Sequence, residues 1–174
     1  MQSQTRRSAA RTKRLALASM LACLALIFSY VEALIPFNAG IPGVKLGLAN
    51  LVVIIALYEM NFRYALLINL IRIFVAGLLF SGVFGMFYSL AGGLLSLFVM
   101  WCLKKTGLFS MVGVSMAGGA AHNMGQLLMA SAIVSNLRMF LYFPILMFSG
   151  IITGILVGIT ACIIDAKVPK SLFR

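Results

Sequence analysis

The sequence predicts an all-α membrane protein: a six-transmembrane-helix bundle with both termini in the cytoplasm. Hydrophobic residues make up 63% of the 174-residue chain and charged residues only 10%. A water-soluble domain of this length cannot bury that much apolar surface, so the bilayer is the expected solvent. Six apolar runs are of membrane-helix type, and most of the basic residues stand at or beyond their ends.

Crossing a hydrocarbon core of about 30 Å takes about 20 helical residues. The first span is expected over 15–35, behind a basic cytoplasmic tail, 1–14, that carries Arg6, Arg7, Arg11, Lys13 and Arg14. A signal peptide also starts with basic residues. Here the apolar run reaching Pro36 is too long for one, and Glu32 interrupts the small-residue cleavage pattern. The second span, 43–58, is the shortest, and 16 helical residues reach only about 24 Å. It starts below the outer surface or sits where the bilayer thins; Pro42 before it suits a helix start. The remaining spans are expected over 64–81, 84–103, 111–134 and 140–164, so that 15–174 is a single membrane domain.

Six spans put both ends on one side. The basic tail, Arg63, Lys104, Lys105, Lys167, Lys170 and Arg174 fall on that side, against Lys45 and Arg138 on the other and Arg72 inside a span. The positive-inside rule then places both termini in the cytoplasm. The net charge of +11 does not indicate nucleic acid, because the basic residues form no stripe with interleaved aromatics. Cys23, Cys102 and Cys162 lie in apolar runs without ligand spacing; they are read as packing residues, and no metal or cofactor is expected.

Small residues mark close helix approach. Gly150, Gly154 and Gly158 form a doubled small-xxx-small pattern, Ala18 and Ala22 a single one, and Gly118, Gly119, Ala121 and Gly125 line the fifth span. They pack helices within the chain or dock a second membrane subunit, and the Ala18/Ala22 face is the candidate for docking.

The polar residues inside the spans carry the functional question. His122 and Gln126, four apart, share a helix face with Asn123 at its edge, near mid-span. Unpaired amides and imidazoles are costly in hydrocarbon, so this face looks into the bundle. Arg72 lies midway along the third span with Asn69 one turn before it, at a depth where arginine costs about 2.5–3.5 kcal/mol on insertion scales. Of the three acidic residues only Glu32 is near that depth; otherwise a bound anion or backbone carbonyls must neutralise Arg72. Lys45, in the Pro- and Gly-rich loop 35–50, is placed to cover an outer cavity, and Asn50 lies early in the second span. These groups either satisfy one another structurally or converge on a ligand pocket open to the outside.

Three phrases, "IPGVKLGLANLVVIIALY" (41–58), "LIRIFVAGLLFSGVFGMFYSLAGGLLSLFVM" (70–100) and "GAAHNMGQLLMA" (119–130), resemble the bacterial family called Gx transporter or heptaprenyl diphosphate synthase component I. That family is similar to the substrate-binding S components of energy-coupling factor (ECF) transporters, six-helix proteins with both termini inside. The resemblance implies an S-component-like bundle. Its Ala18 and Ala22 would face the transmembrane partner, and its ligand would lie in the outer half, where Lys45, Asn50, His122, Asn123 and Gln126 fall; Glu32 joins the ligand-site candidates by its own position near the outer end of the first span. Arg72 is placed less firmly. Synthase chemistry is not expected of this chain: diphosphate held through Mg²⁺ needs clustered aspartates, and Asp165 is the single aspartate. The lone histidine has no acidic neighbour in sequence to make a triad. Without a phosphate-binding Walker motif, ATP use would belong to separate ATPase subunits. The expected role is capture of a small molecule, such as a vitamin, quinone precursor or isoprenoid-related compound. A non-catalytic scaffold for redox or prenyl-diphosphate synthesis proteins is the alternative. A lone secondary transporter is disfavoured, since only Glu32 could couple ions.

Overall fold

A computed structural model describes residues 2–34 and 47–173; Pro42 and Lys45 lie outside them. Among the described residues the chain is helical and contains no strand. Six α-helices run in order: α1 (Gln2–Leu34), α2 (Leu48–Glu59), α3 (Phe62–Ala76), α4 (Gly82–Thr106), α5 (Met111–Val134) and α6 (Phe143–Lys167). Three stretches are long and apolar enough to cross a membrane, Arg11–Leu34, Phe62–Thr106 and Leu137–Lys167. The outside is as apolar as a bilayer requires: Leu78 is 81% exposed and Leu141 78%, while Asn69, Arg72, Ser96 and Asn123 are buried. The chain is a membrane protein.

The basic tail is not separate from the first span. No Gly or Pro falls between Gln2 and Leu34, and Ala, Leu, Arg and Gln are strong helix formers, so α1 continues through it for 33 residues, about 50 Å. α2 begins five residues later than expected. Gly47 takes a left-handed conformation (φ 74°) just before it, and Glu32 of α1 accepts from the Leu48 amide at 3.0 Å, satisfying a helix-end N–H from another helix. α2 is also the most enclosed element, with Ala49 and every residue from Leu51 to Leu57 buried. Its shortness suits a helix wrapped by neighbours.

The stretch Phe62–Thr106 is two helices folded back on each other. A π-helical turn, Gly77–Ser81, leads to Gly82 at φ 70° and ψ 172°, where the chain reverses. Gly93 then lies against Asn69, and a Cβ at Gly77 would overlap Met86. At the opposite end Asn61 caps α3, its side chain accepting from the Tyr64 amide at 3.1 Å. Ser110 caps α5 in the same way through the Gly113 amide.

α5 is sandwiched between α4 and α6 with backbones in contact. A Cβ at Gly119 would overlap the Gly150 carbonyl, one at Gly154 would meet Met116 and Ser115, and one at Gly158 would meet Val112. On the α4 side, Gly125 sits against Ala91 and Gly92. These are internal contacts between helices of one chain. The other half packs through side chains. Ala18, Ala22 and Ala25 of α1 share one buried core with Val52 and Ile55 of α2 and Ala65 and Ile68 of α3, and α1 packs against both helices.

Candidate functional site

A cavity of about 80 Å³ lies at the end of the bundle where α2 begins, and all six helices contribute to its wall. Ser29 and Glu32 come from α1, Asn50 from α2, Arg72 from α3, Ser89 from α4, His122 and Asn123 from α5, and Thr153 from α6. A smaller space of about 10 Å³ beneath it shares Gly47, Asn50, Gly119 and Thr153 and ends at Ser96 and Ser115.

Each polar group arrives there for a local reason. On α1 the spacing Ala18, Ala22, Ala25, Ser29, Glu32 is one stripe at helical period, small where it crosses the core and polar at the cavity. Arg72 is 7% exposed. Its Nη2 donates to Asn69 Oδ1 at 2.7 Å and its Nη1 to Ser29 Oγ at 3.4 Å, both neutral acceptors. The buried Nε has no acceptor among the described residues. Glu32 acts on the guanidinium electrostatically, but its recorded hydrogen bond goes to the Leu48 amide. On α5, Asn123 Nδ2 donates to the Leu146 carbonyl of α6 at 2.6 Å, holding that wall together.

Five of the seven expected ligand-site residues thus line one cavity: Glu32, Asn50, Arg72, His122 and Asn123. Lys45 lies outside the described residues. Gln126 shares its face with His122 as spaced, but both lie over Gly92 of α4, and Gln126 stops short of the cavity wall. The two residues expected to face a partner are placed differently. Ala18 is 5% exposed and Ala22 8%, both turned into the core, so their spacing serves packing inside this chain. Sequence reasoning missed the hydroxyls, Ser29, Ser81, Ser89 and Thr153. The signal for Ser29 was its place on the stripe that ends in Glu32.

A second polar cluster sits at the other end of α2. Lys104 Nζ donates to the carbonyls of Leu57 and Tyr58 at 2.6 and 3.4 Å, closing the C-terminus of α2, and lies 4.7 Å from the Tyr58 ring centre. Burial pushes the Glu59 carboxyl above its ordinary value, its hydrogen bond with Asp165 adds to this, and Lys170 and Lys104 oppose it. Arg63 at the start of α3, Lys104 and Lys105 at the end of α4, and Lys167 at the end of α6 belong to this end. The cavity therefore lies away from the basic end of the molecule.

Comparison with curated proteins and with solved structures finds no match. The family described as heptaprenyl diphosphate synthase component I matches residues 21–164, and the chain belongs to that family.

Proposed function

Proceeding from this membership, we propose that the chain is the substrate-binding membrane subunit of an uptake system. It takes a small molecule into the cavity at the outer end of the bundle and is energised by a separate ATPase module. All six helices cross the bilayer, with the basic end and both termini on the cytoplasmic side. The observation that carries the reading is the convergence of Glu32, Arg72, His122 and Asn123, from three helices, on one cavity. Ionisable groups inside a membrane protein face its functional pathways far more often than lipid.

The chain itself does no chemistry in this reading. Glu32 is the one carboxylate at the cavity, and Glu59 and Asp165 meet at the other end of α2. A Mg²⁺–diphosphate site needs several carboxylate oxygens together. A second reading draws on the family's name, in which a component I implies a further component. Here the chain is a non-catalytic membrane scaffold for prenyl-diphosphate or quinone synthesis proteins.

Native mass spectrometry of gently solubilised protein separates the two. The uptake reading expects a defined small-molecule adduct on the wild type that is lost in His122→Ala. Bare protein in both samples, together with a co-purifying protein partner, would replace it with the scaffold.

A further inference from the structure

We infer that the group this cavity holds is zwitterionic, with an anionic end for Arg72 and a cationic end for Glu32 carried on one small head. The inference rests on the cavity's being a binding site and specifies what it binds. Arg72 is more than nine-tenths buried and spends Nη1 and Nη2 on uncharged oxygens. Its Nε is buried without an acceptor among the described residues. A guanidinium offers five donors in a planar fork suited to a carboxylate or phosphate oxygen pair, and a buried one left on neutral acceptors keeps its full charge to offer.

Glu32 lines the same cavity and is near enough to act on Arg72, yet the guanidinium turns to Ser29 and Asn69. The carboxylate is held by the Leu48 amide at the start of α2. Two opposite charges are thus anchored to different helix features and kept apart in one cavity. Each charge is met in contact by neutral groups only, Arg72 by Ser29 and Asn69 and Glu32 by the Leu48 amide. A simple anion would answer Arg72 and leave Glu32 without a cation in contact, and a simple cation would do the reverse. A zwitterion answers both, and a charge left without a partner is what a low-dielectric site resists most.

Size sets the second limit. The cavity's 80 Å³ is about half of the ~150 Å³ that admits benzene. It accommodates a short amino-acid-like head; any larger body must extend out of it. The neutral partners at the wall, Asn50 and Thr153, suit the remaining N–H and oxygen groups of such a head.

β-Alanine, propionate and propylamine share a three-carbon chain and carry both charged ends, the anionic end alone and the cationic end alone, so equilibrium dialysis of each against the solubilised full-length protein tests the inference. β-Alanine is expected to bind about tenfold or more tightly than either of the others. That advantage over propionate is expected to vanish in Glu32→Gln, which keeps an oxygen for the Leu48 amide, so the fold is undisturbed. Arg72→Gln is expected to abolish binding of both β-alanine and propionate, with retained helicity showing that the protein has folded. Propionate equalling β-alanine in the wild type would overturn zwitterion selectivity and leave the binding site standing, as would a preference indifferent to Glu32→Gln. No binding of any probe would also overturn it, and the adduct test with His122→Ala then judges the binding reading separately.

Discussion

Asn123 donates to the Leu146 carbonyl across the α5–α6 contact, a bond that needs no guest to complete it. Asn123→Leu keeps the branched outline and removes the donor. It should lower the unfolding free energy by about 1 kcal/mol, measured by denaturant titration in mixed micelles without ligand. No loss would mean that Asn123 is kept for a guest alone. The residues legible in the sequence were those whose presence in an apolar run is costly. An arginine, a histidine or an asparagine in mid-span needs a reason, which is why Arg72, His122 and Asn123 could be named beforehand. Hydroxyls give no such signal, because a helical Ser or Thr can satisfy itself on its own helix. Ser29 donates to the Ala25 carbonyl at 2.9 Å and Thr153 to that of Ser149 at 3.0 Å, as in any membrane helix. Direction was the other hidden quantity. Helical spacing put Gln126 with His122 and Ala18 with Ala22, but which way those faces turn depends on neighbours distant in sequence.

Helix ends were readable where local chemistry sets them. α5 runs over the expected residues because Ser110 caps its start and Ser135, at φ 52°, closes its end. The start of α2 was not readable, since its amide is satisfied by Glu32, 16 residues away. The α5–α6 pair rests on the glycines, which the small-xxx-small spacing identified. Gly119→Ala should cost about 2 kcal/mol or more, because the added methyl overlaps the Gly150 carbonyl and backbone must move to admit it. Gly113→Ala, where a Cβ meets only ordinary contacts, should change stability by less than about 1 kcal/mol. Equal thermal denaturation midpoints for the two variants would contradict the backbone contact.

The whole molecule is inverted relative to a soluble protein, apolar outside and polar at a few enclosed points. If six helices cross with the basic end inside, a fluorescent protein fused at either terminus should fluoresce and alkaline phosphatase fused at the same points should be inactive. Phosphatase activity at the C-terminus alone would require an odd number of crossings.

α5 has one more consequence, for how the chain is made. At 24 residues it is long enough to span, but it is not among the stretches apolar enough to do so, since His122, Asn123, Gln126 and its glycines displace hydrocarbon side chains. Leaving the ribosome, such a segment has weak grounds to enter lipid by itself, and its polar groups find partners only against its neighbours. It should therefore partition together with α6, as a pair, late in synthesis. A chain truncated after Val134 would leave His122 and its surroundings within reach of a membrane-impermeant protease, whereas the full chain would shield them; equal protection of both would mean that α5 enters alone.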